Sequence, residues 1–204
     1  MRPVVADWLA QHGVPVWLSP SYAAMVGLAS LIAAAIVLRV TARDGEDVRG
    51  TATTLLIAYG AALVGGYLYE IVRVTPSAIA QLSLHPYAHV GRAAYGGLLF
   101  ATAATALHLR HRRAPLGAFF DRVALTLGIV FVLVRTGCLL EGCDYGLPTE
   151  GALGVQYPPG SIAAIAHAHR GWVVLGAPSL ATHPTQLYEG AVALGGSAVA
   201  LGVY

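Results

Sequence analysis

The sequence predicts an all-α, polytopic membrane protein. Three observations carry that expectation: a charge-poor composition, five long apolar runs, and aromatic and arginine residues that gather at the ends of those runs. Hydrophobic residues make up 56% of the 204 and charged residues 11%, with a mean hydropathy of +0.65. That is too apolar for a soluble domain of this length. The formal net charge is only +2 and no basic run of five residues occurs, so nucleic acid is not an expected partner. No stretch reads as a linker or an internal repeat. A single integral-membrane domain over residues 1–204 is therefore expected. Arg2 is soon followed by Asp7, and no small-residue cleavage site precedes the first apolar run, so no cleaved signal peptide is expected.

Residues 1–19 are read as an interfacial segment, because Trp8 and Trp17 are amphipathic rings suited to the headgroup layer. The first span follows over about Pro20 to Leu38. The second, Gly50 to Tyr69, carries no charge and places Ala61 with Gly65 and Ala62 with Gly66 at i, i+4, a small-residue pattern that lets helices approach closely. Glu70 is expected to close it. The third span, about Ala93 to Leu109, comes after a polar loop, and the fourth, about Val123 to Leu140, is charge-free except for Arg135. A fifth begins near Gln186 and runs through the apolar end of the sequence.

Orientation follows from the arginines, since cytoplasmic loops collect them. Arg39, Arg43, Arg49, Arg110, Arg112, Arg113 and Arg122 flank the loops after spans one and three; Arg2, Arg73, Arg92, Arg135 and Arg170 fall on the other side. The N-terminus and the loop region 141–184 are expected to face outward.

Several side chains invite chemistry. An arginine inside a span costs a few kcal/mol even on lenient insertion scales, about 2.5–3.5 at the helix centre, so Arg135 requires a partner or a polar cavity. Its planar fork suits a phosphate; the plainer alternatives are an ion pair with Glu70 or Glu141, or snorkelling to the interface. Cys138 and Cys143 stand five apart and are either a disulfide, which an outward-facing location would permit, or two small buried thiols. A lone CxxxxC lacks the four-ligand spacing of a structural zinc site, so no metal is expected; His85, His89, His167, His169 and His183 could complete one only in principle. A membrane thiol oxidoreductase using the two cysteines is a weaker alternative. In "HVGRAAYGGLLF", Arg92, Tyr95, Gly96 and Gly97 open the third span, either as a close-approach lipid site or as ordinary helix packing beside a belt tyrosine. In "THPTQLYEG", Thr185 is a fair N-cap, and Glu189 is either a partner for an arginine or a carboxylate favoured by the helix dipole.

Three ordered blocks, "GRAAYGGLL", "RTGCLLEGCDYGLPTEGALGVQYP" and "HPTQLYEG", resemble the prolipoprotein diacylglyceryl transferase family over roughly residues 89–190. The resemblance implies a bacterial inner-membrane enzyme, usually of seven spans, whose site opens to the outer leaflet. It also implies transfer of diacylglyceryl from phosphatidylglycerol to the thiol of a lipoprotein precursor's cysteine, with glycerol phosphate leaving and no cofactor. Arg135 matches the family's phosphate-holding arginine, Gly137 and Gly142 match backbone positions of the same motif, and Gly96 and Gly97 match its paired glycines. His183, Gln186, Tyr188 and Glu189 match the late block that lines the cavity. The candidate catalytic set is then Arg135, Tyr95, Glu141 and Glu189. The candidate lipid-binding set is Arg92, Gly96, Gly97, Gly137, Gly142, His183, Gln186 and Tyr188. Tyr95 stands where better-known members carry a histidine, and Cys138, Glu141 and Cys143 replace the asparagines and glutamate usual after the arginine. Those departures make a non-catalytic lipid-binding subunit of a larger membrane complex the alternative.

Overall fold

The computed structural model describes residues 22–80 and 94–203. Seven helices lie among them: α1 (Tyr22–Arg43), α2 (Val48–Ala80), α3 (Ala94–His111), α4 (Leu116–Ala124), α5 (Leu127–Glu141), α6 (Ile162–His169) and α7 (Thr185–Val203). The all-α class is as the sequence predicts; extended pairing among the described residues is limited to isolated bridges from Thr182 to Pro148 and to Val155. The interfacial segment assigned to 1–19 and Arg92 lie outside the described residues.

Each of the five expected spans holds helix, but two of them differ from the expectation. The second helix does not stop at Glu70. It continues to Ala80 with Pro76 inside it, because Glu70 forms an i, i+3 ion pair with Arg73 on the helix surface rather than ending the turn. The fourth span is two helices, α4 and α5, bent by 48° at the break between them. Thr126 sits at that break, and both its N–H, at 2.9 Å, and its hydroxyl, at 2.8 Å, donate back to the Val123 carbonyl, closing a tight local turn. By length and apolarity α1 and α2 are able to cross a membrane, and the α4–α5 pair makes three if taken as one bent span. The shorter α3 and α7 carry polar ends: His108, Arg110 and His111 close α3, and Thr185, Gln186 and Glu189 open α7.

The chain divides into two compact units, residues 37–122 and residues 1–36 with 123–204. In the first, α2 and α3 form an antiparallel pair whose contact is built from small residues. A Cβ on Gly96 would lie 2.3 Å from the Cβ of Tyr69 and 2.5 Å from the Gly65 carbonyl oxygen, and one on Gly97 would lie 3.1 Å from the Ala62 oxygen. The small-residue pattern read at 61–66 is thus the packing seam. At the end of this unit Arg122, only 5% exposed, is held by Asp44 at 2.9 Å and Glu46 at 2.7 Å. Its hydrogen bond holds the Glu46 carboxyl below the ordinary glutamate range. Asp47 caps α2 by accepting from the Gly50 N–H at 2.9 Å.

In the second unit α5 and α7 run antiparallel at close range. Ser197 approaches the Cβ position of Gly128 to 2.6 Å, and Val132 packs by Gly190. A Cβ on Gly137 would lie 3.1 Å from the Tyr22 ring and 3.2 Å from the Met25 Cβ, so the glycine lets α5 approach the start of α1. The region between α5 and α7 is ordered by backbone pairing, with Gly146 and Leu147 bonded to His183, Thr149 to Ala181, and Val155 to Thr182. Within it Ser161 caps α6 by accepting from the Ala164 N–H at 3.2 Å.

A leucine at Gly96 has nowhere to go against Tyr69 and the Gly65 carbonyl. Gly96→Leu is expected to force α2 and α3 apart, at a cost of about 1–3 kcal/mol or more, whereas Gly60→Leu, which faces open space, is not. Thermal unfolding of the two variants in mild detergent checks the contrast.

Candidate functional site

The site grows from the end of α5. Arg135 lies one and a half turns from the helix end, over the ring of Phe131 at 4.9 Å. Its guanidinium reaches two carboxylates at once, Asp144 through Nη1 at 2.9 Å and Glu189 through Nη2 at 2.5 Å. The side chain is 22% exposed, while its Nε is buried and has no hydrogen-bond partner. Of the partners weighed from sequence, Glu189 is found on Arg135, whereas Glu70 and Glu141 are not. Glu141 instead takes the backbone N–H of Tyr22 at 3.5 Å, where a carboxylate suits a helix N-terminus.

Asp144 comes within reach because the chain reverses directly after α5. Gly142 ends the helix in the left-handed conformation, φ 77°, with its N–H bonded to the Cys138 carbonyl, and the Cys143 N–H takes the same oxygen at 3.1 Å. The Tyr157 ring packs 3.1 Å from the position a Gly142 Cβ would occupy, so glycine is required there for both conformation and space. Asp144 itself is left-handed at φ 55°, a conformation that an aspartate tolerates but does not prefer. The first turn of α7 holds the turn in place. Thr185 Oγ1 donates to the Asp144 carbonyl at 2.6 Å, and Gln186 Nε2 donates to the Cys143 carbonyl at 2.6 Å and to the Tyr157 hydroxyl at 3.1 Å.

Of the two alternatives offered by sequence for the cysteines, a disulfide or thiols, the structure has free thiols. Cys138, buried on α5, has its sulfur 3.3 Å from Asp144 Oδ2, and the Cys143 sulfur lies 3.7 Å from the Cys138 carbonyl. Cys138 Sγ, Cys143 Sγ and an Asp144 oxygen all fall within 4.8 Å of one another.

One unit therefore brings together Arg135, Gly137, Cys138, Glu141, Gly142, Cys143, His183, Gln186, Tyr188 and Glu189 of the expected set. His183 Nδ1 and the Tyr188 hydroxyl are 3.2 Å apart, both on the exposed side, whereas Gln186 is buried. Tyr95, Gly96 and Gly97 belong to the other unit. Tyr95 is 79% exposed, and the two glycines are occupied by packing against α2. Sequence reasoning missed Asp144 and Tyr157 and read Thr185 as an N-cap, whereas its hydroxyl ties down the Asp144 turn. The signal for Asp144 was the glycine two residues before it, which ends the helix and returns the next side chains toward α5.

Beside the arginine a depression of about 380 Å³ is lined by Asp144, Tyr145, Gly146, Leu147, Pro148, Arg170 and Trp172. His167 lies behind it, fully buried, with Tyr145 and Trp172 edge-on to its ring at 5.3 Å and 5.0 Å. The Leu180 N–H donates to its Nδ1 at 3.1 Å, so the ring proton sits on Nε2. Burial, and then the charge of Arg170, push the His167 pKa below the ordinary imidazole range.

These features define a helical membrane protein with an arginine inside a span, two carboxylates on it and an ordered loop over the helix ends. The chain belongs to the prolipoprotein diacylglyceryl transferase family, whose pattern it matches over residues 17–204. It is 28% identical over 147 residues to phosphatidylglycerol-prolipoprotein diacylglyceryl transferase 2 of Clostridium perfringens, covering 70% of this chain and 56% of that protein. It is 22% identical over 189 residues to the transferase of Clostridium tetani, 93% of this chain and 68% of that protein. With the Rhodopirellula baltica transferase it shares 33% over 72 residues, 35% of this chain and 15% of that one. The chain thus spans little more than half the length of the Clostridium perfringens relative.

His167 gives the loop a pH dependence of known sign. With its folded pKa depressed, it contributes stability above the ordinary imidazole range that is lost as pH falls through the folded value, because a protonated Nδ1 cannot accept from Leu180. The protection factor of the Leu180 amide, which is its exchange rate corrected for the intrinsic pH dependence, is expected to fall as pH drops below the ordinary imidazole range, and His167→Gln is expected to flatten that response.

Proposed function

We propose that this chain is a phospholipid-dependent membrane transferase that moves diacylglyceryl from phosphatidylglycerol to the cysteine thiol of a lipoprotein precursor in the bacterial inner membrane, with the site facing the outer side. Family membership and the names of the relatives support the general reaction. The observation that carries the reading to this site is Arg135, a permanent cation within an apolar helix that retains partial exposure and an uncommitted Nε.

In this reading the lipid phosphate enters against the guanidinium and takes the place of Glu189, whose carboxylate is 46% exposed and free to swing away. Asp144 stays, because its backbone is tied to Thr185 and it keeps the arginine oriented. The acceptor sulfur attacks the glycerol carbon that bears the phosphate. A C–S bond forms, the C–O bond to phosphorus breaks, and glycerol phosphate departs with the bonding pair. Arg135 offsets the charge gathering on that phosphate as it leaves, where a fixed donor is worth most. The displaced Glu189 accepts the proton of the attacking thiol. Tyr95, phenolic where relatives of the family carry histidine, is not assigned the base.

Replacing Arg135 tests the assignment. Arg135→Ala is expected to lower transfer from labelled phosphatidylglycerol to a cysteine-containing lipobox peptide by at least about 100-fold. Arg135→Lys is expected to recover part of it, since an ammonium supplies charge without the fork. Full transfer by the alanine variant would remove the assignment, and absence of transfer by the unmodified chain while phospholipid co-purifies would favour the lipid-binding subunit.

A further inference from the structure

We propose that Cys138, Cys143 and Asp144 form a binding site for a single thiophilic divalent cation of the zinc class, immediately behind Arg135. The proposal stands apart from the transferase reading.

The donor geometry is the first support. Tetrahedral zinc with sulfur at about 2.3 Å and carboxylate oxygen at about 2.0–2.2 Å places those two ligands roughly 3.5 Å apart. Cys138 Sγ and Asp144 Oδ2 are already 3.3 Å apart, and Cys143 Sγ completes a triangle whose sides are all within 4.8 Å. Two thiolates and one carboxylate make a soft donor set that selects zinc or cadmium over magnesium or calcium. Three protein ligands leave a fourth position open.

The second support is that the cluster is held from outside. Bound metal sites owe much of their affinity to groups that fix the ligands. Here the carbonyls of both turn residues are gripped by the first turn of α7, Cys143 by Gln186 and Asp144 by Thr185, each at 2.6 Å. Asp144 is kept left-handed, and Gln186, 1% exposed, carries a buried Oε1 with no hydrogen-bond partner. An ordinary salt bridge between Arg135 and a loop aspartate needs none of these restraints.

Charge is the third. With both thiols protonated, Asp144, Glu189 and Arg135 sum to a single negative charge. A divalent cation that displaces both thiol protons leaves that sum unchanged, so the ion enters without burdening the arginine. Binding must release two protons and weaken as pH falls. The sequence alone argued against metal because CxxxxC supplies two ligands; the left-handed turn at Gly142 adds the third.

The full chain, purified anaerobically in detergent, reduced and stripped with chelator, is titrated with cadmium. The expected result is a thiolate-to-cadmium ultraviolet band that saturates at one ion per chain, is competed by zinc, and protects both cysteines from alkylation. Cys143→Ser is expected to abolish the band, and Asp144→Asn to weaken binding at least tenfold while leaving it. No saturable band in the folded unmodified chain, or one that survives in Cys143→Ser, would overturn the site. Alkylation protection, read on the unmodified chain, decides the matter should a variant fail to fold.

Discussion

A guanidinium cannot lose its proton, so an arginine in an apolar helix must be given counter-charge by the fold, and much of the unit containing α5 and α7 is arranged around meeting that demand for Arg135. The antiparallel approach of α7, close enough for Ser197 to crowd Gly128, brings Glu189 level with it. The left-handed cap at Gly142 and the left-handed Asp144 supply the other carboxylate. Breaking the pair from either side would strand a charge where desolvation costs several kcal/mol.

Arg122 faces the same requirement in the other unit and meets it differently. It is almost fully buried and carries two carboxylates with its Nε also bonded, to Asp44 at 3.0 Å. Each of its three guanidinium nitrogens is engaged by a carboxylate. Arg135 has the same number of acidic partners but more exposure and a spare Nε. Counting ion pairs would rank the two alike. The difference between a structural and a ligand-ready arginine lies in which donors remain unused and whether a partner is free to move.

Much of the helical layout was legible in the sequence, because apolar runs and small-residue spacing are local properties. The seam of Ala62, Gly65, Gly96 and Gly97 is an example. The continuation of α2 past Glu70 was not, since a carboxylate paired at i, i+3 with Arg73 sits comfortably on a helix. Nor was the break at Thr126, where the two residues between the helices, Leu125 and Thr126, are neither glycine nor proline. At the site, Arg135 and Glu189 could be chosen by their isolation among uncharged neighbours. Asp144 could not, because its role depends on a turn that reverses the chain and on hydroxyl and amide groups forty residues later.

The spacing of the two acidic partners along the chain has a consequence for biosynthesis. Asp144 follows Arg135 by nine residues, so the emerging arginine meets its first counter-charge almost as soon as α5 is complete. Glu189 leaves the ribosome some fifty residues afterwards, seconds later at ordinary elongation rates of about 5–20 residues per second. A membrane-insertion machinery handling α5 thus receives the cation with one carboxylate close by in the chain, before the distant helix that fixes the Asp144 turn and supplies the second carboxylate has been made.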